Sequence, residues 1–179
     1  MSRVIAFANQ KGGVAKTTTT LSIGAALHER GRDVLLVDLD PQGALTYSLG
    51  YDPDGIEETV NDVLVRHLPI EKAVVAGTPD LVPANIDLAG ADTVLLTKTG
   101  REYALERALR DVANSYDYIL IDCPPSLGIL TINGLTARLG GVDPVAGRGP
   151  SPTAAWASCS RPSPTSSALR IPVSGFQAS

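Results

Sequence analysis

Between residues 9 and 20 the chain reads NQKGGVAKTTTT, and no other stretch restricts its possible folds as strongly. The apolar run RVIAFA (3–8) before it reads as a buried parallel strand. After it, Thr17 to Arg30 carries apolar Leu21, Ala25 and Leu27 and stops at Gly31, which reads as a helix with a glycine stop signal. A strand, a glycine-rich turn and a helix in that order make a phosphate cradle, because successive backbone N–H groups and the helix N-terminus point at the anion. A lysine then reaches the terminal phosphates and a hydroxyl holds Mg²⁺. Gly12, Gly13, Val14, Ala15, Lys16 and Thr17 occupy those places. The common pattern G-x-x-x-x-G-K-[ST] fails at Gln10 and Ala15; what stands instead is K-G-G-x-x-K-[ST], starting at Lys11. Ala15 keeps its N–H but brings a methyl group to a glycine position, so backbone strain and weakened, not abolished, nucleotide binding are expected. The plain alternative is a glycine-rich turn with chance lysines, and the flanking strand and helix argue against it.

Two further strands end in carboxylates. DVLLVDLD (33–40) is a buried strand closing on Asp38 and Asp40, and Pro41 ends it. By itself Asp-x-Asp before proline is often a turn with capping aspartates. Beside a phosphate loop, such a carboxylate can orient the attacking water or take a Mg²⁺-bound water. YILIDCPP ends a strand (118–121) in Asp122, which suits a metal-facing aspartate on a neighbouring strand. ETVNDVLV reads as a short helix, LVPAN (81–85) as a third strand, and 102–115 as a helix burying Leu105, Leu109 and Val112. Arg101, Arg107 and Arg110 read as a solvent face, and His28 and His67 as lone solvated side chains. Strands alternating with helices predict an α/β fold of the P-loop NTPase type: a mainly parallel sheet with helices on both faces and ligands at the carboxyl ends of its strands.

Composition excludes little but does so clearly. The net charge of −4 gives no general basic footprint, so any nucleic-acid contact must come from a local patch or an oligomer. Two cysteines, Cys123 and Cys159, form neither a metal-ligand spacing nor a disulfide framework, and Cys123 reads as a small buried side chain. The N-terminus has about five consecutive apolar residues, short of the ~7–15 of a signal-peptide core. No run approaches the ~18 of a membrane span. The expectation is a cytoplasmic domain.

The three motifs together, with LVPANIDLAGAD and DYILIDCPPSLGILTINGLTA, resemble the N-terminal part of the ParA/Soj partitioning ATPases, which carry a two-lysine phosphate loop. The resemblance covers Arg3 to about Ala137. It implies Mg²⁺ and ATP as cofactors, an ATP-dependent homodimer, binding to DNA without sequence preference, and a ParB-like centromere-binding partner that stimulates hydrolysis. It implies a cytoplasmic, nucleoid-associated protein that positions chromosome or plasmid DNA, with no membrane partner. Carried over by motif, Lys11 would reach the partner subunit's nucleotide, Lys16 would hold phosphates in its own subunit, and Thr18 would assist there. Thr17 would coordinate Mg²⁺ with Asp122, Asp38 would lie near the metal, and Asp40 would position water. Pro124, Pro125 and Ser126 would form a second switch. The family has Asn where this chain has Ala44. The alternative function is a truncated nucleotide-binding fragment with neither ATPase nor DNA-binding activity. A membrane-associated positioning ATPase is disfavoured, since SALRIPVSGFQAS shows no basic amphipathic helix.

The ATPase region is therefore expected over 1–137. Residues 138–179 are rich in Gly, Pro, Ser and Ala and admit two readings: a low-complexity tail, or the product of a reading-frame shift just after Ala137. Back-translation of 141–148 one base later permits VLIPLQAE, like the strand the family has next. Residues 150–161 in the other shifted frame permit VAYGGVGELLE, with a helical apolar pattern. On either reading the family's adenine-contacting loop and DNA-binding basic residues would lie mainly in a missing C-terminal half.

Overall fold

The computed structural model describes residues 2–137 and 145–146. Four parallel strands form its centre: β1 (Arg3–Ala8), β2 (Val34–Asp38), β3 (Asp80–Val82) and β4 (Tyr118–Asp122). A two-residue strand, β5 (Val145–Ala146), adds to the outer side of β1 through Phe7 and Ala8, giving the order β3-β2-β4-β1-β5. The remaining residues of the 138–179 segment lie outside the described residues, and with them both readings of that segment.

Alternation along the strands explains why helices cover both faces. Val34, Leu36, Leu120 and Phe7 point to one side, where they meet Leu21, Ile23 and Leu27 of α1 (Lys16–His28) and Leu45 of α2 (Ala44–Ser48). Leu35, Val37, Ile119, Ile121, Val4 and Ala6 point to the other, under α3 (Val60–Arg66), α4 (Ile70–Ala73), α5 (Leu88–Leu96), α6 (Ala104–Val112) and α7 (Ile129–Thr136). A strand buried on both faces must be apolar at every position, as VLLV is. The α/β P-loop architecture anticipated from the motifs is the one observed.

Boundaries differ where local chemistry intervenes. The third strand is Asp80–Val82, not 81–85, since Pro83 offers no ladder N–H. The helix expected over 102–115 starts as a 3₁₀ turn at Arg101–Tyr103 and becomes α-helical only at Ala104. Leu105, Leu109 and Val112 are buried as expected. Arg107 and Arg110 are exposed, as a solvent face requires, and Arg101 is half-buried. Arg101 donates to Leu96 O, at the end of α5, at 3.0 Å and Arg107 to Gly100 O, in the turn that follows, at 2.9 Å, while Arg110 pairs with Glu106 at 2.7 Å. His67 is exposed but not lone: it ends α3 at φ 59° and its Nε2 lies 3.3 Å from Lys98 Nζ.

Small residues set how closely α7 sits on the sheet. A Cβ at Gly134 would meet Cys123 Sγ at 2.6 Å and Leu39 Cδ1 at 3.3 Å, whereas one at Gly90 on α5 meets nothing within 4 Å. Gly134→Ala is expected to destabilise by about 1–3 kcal/mol through overpacking. Gly90→Ala should stabilise by about 0.5–1 kcal/mol through helix propensity and a less free unfolded chain. Urea unfolding of the pair checks both signs in one experiment.

Candidate nucleotide site

All the chemistry-bearing strand ends meet on one edge of the sheet. β4 lies between β1 and β2, with Asp122 registered opposite Phe7 on one side and Asp38 on the other. The loop leaving β1 opens with an Asx turn, Lys11 N–H to Asn9 Oδ1 at 3.0 Å, and closes at Ala15, which precedes α1. Ala15 sits at φ 59°, ψ 29°, in the left-handed region, and Gly13 at φ 69°. That loop and Asp40 and Pro125 line an open cleft of about 430 Å³, whose wall is Gly12, Gly13, Val14, Ala15, Lys16, Thr17 and Thr18.

The strained alanine is the anticipated departure, and it has a measurable consequence. A left-handed conformation costs an L-residue roughly 1–2 kcal/mol, a cost glycine escapes. Ala15→Gly should therefore raise the unfolding free energy of the apo chain by about 0.5–1 kcal/mol, read by denaturant titration, once glycine's greater unfolded-state freedom is subtracted.

The four threonines divide by role. Thr19 and Thr20 turn their hydroxyls back onto the helix, to Ala15 O at 2.7 Å and Lys16 O at 3.0 Å. Thr17 and Thr18 stay on the cleft. Beneath them lies Asp122, 1% exposed, neither of whose carboxylate oxygens has a well-formed hydrogen bond to the protein. Its pKa is pushed up to about 6, chiefly by burial; the Thr17 hydroxyl draws it down, Asp40 adds to the rise, and the Lys16 charge opposes it.

Asp38 is in the opposite condition. It is fully buried, and its oxygens accept from three donors: Asp40 N–H at 3.0 Å on Oδ1, and Thr46 N–H at 3.0 Å and the Thr46 hydroxyl at 2.8 Å on Oδ2. Burial, the largest influence, lifts its pKa to about 7 against the pull of those donors. Asp40 spends Oδ1 on Gln42 N–H at 3.0 Å and reaches the cleft wall. Lys11 is exposed and does not line the cleft. So the structure brings together the loop residues 12–18, Asp40 and Pro125, sets Asp122 under them, and leaves Asp38 and Lys11 off the cleft surface. Thr46 was missed by sequence reasoning; a threonine eight residues past Asp38 carries no local signal of its contact.

Residues 2–139 match the family model described as an AAA domain. The sporulation initiation inhibitor protein Soj of Bacillus subtilis is 51% identical over 148 residues, 81% of this chain and 58% of that protein. The chromosome partitioning protein ParA of Myxococcus xanthus is 45% identical over 140 residues, 76% of this chain and 50% of that protein. The chain belongs to the ParA/Soj family of partitioning ATPases. It spans about half the length of the curated ParA/Soj relatives it matches. Among solved structures, cobyrinic acid a,c-diamide synthase from Mycobacterium smegmatis, with bound ATP analogue and magnesium, superposes with a TM-score of 0.75 at 60% identity. That match covers 76% of this chain and 57% of that one. No helix among the described residues is long and apolar enough to cross a membrane.

Proposed function

We propose that this chain binds Mg²⁺-ATP in the cleft above Asp122, hydrolyses it, and acts as an ATP-dependent homodimer that positions chromosome or plasmid DNA at the nucleoid with a ParB-like partner. The observation that carries the reading is the buried Asp122 carboxylate, without well-formed hydrogen bonds, beside a threonine hydroxyl under a phosphate cradle. Leaving such a group unsatisfied costs about 1–3 kcal/mol or more, and an oxygen-seeking dication is the partner that suits it. Thr17 and Asp122 would hold the metal, which supplies charge neutralisation at the phosphates when bound.

The protein's own part in hydrolysis is positioning. N–H groups at the start of α1 lack intrahelical acceptors and are free for phosphate oxygens. Lys16 adds a full charge on the same wall. Asp40, which lines the cleft and accepts from Gln42 N–H, would orient the attacking water. Lys11, exposed and off its own cleft, is free to serve a second chain's nucleotide, which makes dimerisation an on-switch.

Calorimetry, phosphate release and light scattering on wild type and Asp40→Ala test the reading together. Wild type should bind Mg²⁺-ATP, double in mass with it and turn it over; Asp40→Ala should keep binding and lose turnover by on the order of 100-fold. Binding without turnover or dimerisation in wild type would support the inert-fragment alternative. A second reading comes from the name of the 60% identical structure, ATP cleavage driving amide formation on a corrinoid acid. Turnover that requires cobyrinic acid and an amide donor would favour it.

A further inference from the structure

Outside the phosphate loop, a buried hydrogen-bonded bridge runs from Ala84 through Thr46 and Asp38 to the Asp40 backbone. The Thr46 hydroxyl works in two directions: it donates to Asp38 Oδ2 at 2.8 Å and accepts from Ala84 N–H at 3.1 Å. One side chain thus joins three segments, the end of β2, the start of α2 and the chain just past β3. The other oxygen of the same carboxylate holds Asp40 N–H at 3.0 Å. Asp38 and Thr46 are both fully buried, so these bonds have no water to replace them. The loop between has no slack either: Gly43 stands at φ 60°, and a Cβ there would lie 3.0 Å from Pro53 Cγ and 3.1 Å from Ala84 O. Asp40 itself opens onto the cleft.

We propose that Thr46 is a positioning residue for ATP hydrolysis: acting through Asp38, it sets where Asp40 stands at the cleft. The proposal rests on reading the cleft as the ATP site and Asp40 as its water-orienting group. Asp38 on this view is an anchor whose two oxygens are spent on the loop. A hydroxyl is needed because the position must donate to a carboxylate and accept from an amide at once, which valine, of nearly the same shape, cannot do. Loss of the bridge strands the Ala84 N–H and leaves Asp38 Oδ2 with the residue-46 backbone N–H alone, loosening the carboxylate whose other oxygen holds the Asp40 backbone. Small misplacements of a catalytic group cost on the order of 100-fold in rate, without a matching loss of ground-state binding.

Two measurements on Thr46→Val and Thr46→Ser test this. In steady-state ATP turnover, Thr46→Val should lower kcat on the order of 10- to 100-fold with KM changed by less than about threefold, and Thr46→Ser should recover most of kcat. Equal kcat in wild type and Thr46→Val overturns the proposal, as does a loss carried by KM alone. Amide hydrogen exchange of the apo chain gives a readout that needs no turnover. In Thr46→Val, Asp40 and Ala84 should lose protection by at least about tenfold while Ile119 to Ile121 keep theirs; unchanged protection at Asp40 overturns the proposal even if wild type proves inactive. Inactivity of wild type with the expected exchange pattern instead counts against the ATPase reading alone. Should Thr46→Val not fold, Thr46→Ala takes its place in both measurements.

Discussion

Lys16→Ala is expected to weaken Mg²⁺-ATP binding by about 10- to 150-fold in a chain that still folds. Lys16 opens α1, is half-buried, and lies on the cleft wall between the loop and Asp122. A charge-assisted contact to phosphate in such a place is worth roughly 1.5–3 kcal/mol, and its removal also leaves the anionic phosphates above Asp40 and Asp122 with less to offset them. The side chain supports no core packing, so the thermal midpoint of the apo protein should move by no more than a few degrees. Calorimetry beside a circular-dichroism melt reads both quantities. An affinity within threefold of wild type would mean that the nucleotide, if bound, is held elsewhere.

Asp122→Asn should do two opposite things. It should abolish the dependence of ATP binding on Mg²⁺, and it should make the empty protein more stable at neutral and alkaline pH. Burial raises the Asp122 pKa to about 6 from an ordinary value of 3.8. Below the ordinary value both folded and unfolded chains carry the proton and the group costs nothing. As pH rises from about 4 to 6 the unfolded chain has released its proton while the folded one retains it, so stability falls; above about 6 the folded chain carries the buried charge and the full cost persists. The asparagine variant lacks this contribution, while that of Asp38 is common to both chains and cancels in the difference. Its advantage should therefore open between pH 4 and 6 and level off at about 1–3 kcal/mol by pH 8. Saturating Mg²⁺-ATP should reverse the order, since the ligand stabilises more the chain that holds it more tightly. Urea titrations at pH 4, 6 and 8 measure the gap; a gap constant across that range would show that Asp122 is not the buried charge described.

What could be read from the sequence was whatever local chemistry announces. The phosphate loop between β1 and α1 and the aspartates closing β2 and β4 are each announced within a dozen residues, and the structure has Asp38 and Asp122 at those strand ends, with Asp40 two residues further on. The strain at Ala15 was legible for the same reason, because a loop that needs a left-handed residue shows a missing glycine. Asp38 was not legible: its carboxylate is engaged by Thr46, and Thr46 in turn by Ala84, 38 residues further along the chain. Four α-helices among the described residues also escaped notice: α2, α4, α5 and α7. ILTINGLT has β-branched residues and an internal glycine, weak helix formers singly, and is held as α7 by Asn133, whose amide donates to Ile129 O and Arg101 O and accepts from Leu105 N–H. LAGADTVLL begins within the family-like motif LVPANIDLAGAD and runs four residues past it, and the resemblance said nothing of its conformation.

The left-handed backbone at Ala15 also has an evolutionary side. Alanine codons (GCN) and glycine codons (GGN) differ at one base, so the strained residue is a single point mutation from relief. A library selected for firmer folding or tighter nucleotide retention has that step available at once. Repeated recovery of glycine at position 15 would show that the strain is merely tolerated. Its persistent absence from a well-sampled library would show that a less yielding loop carries an advantage of its own, such as easier release of spent nucleotide.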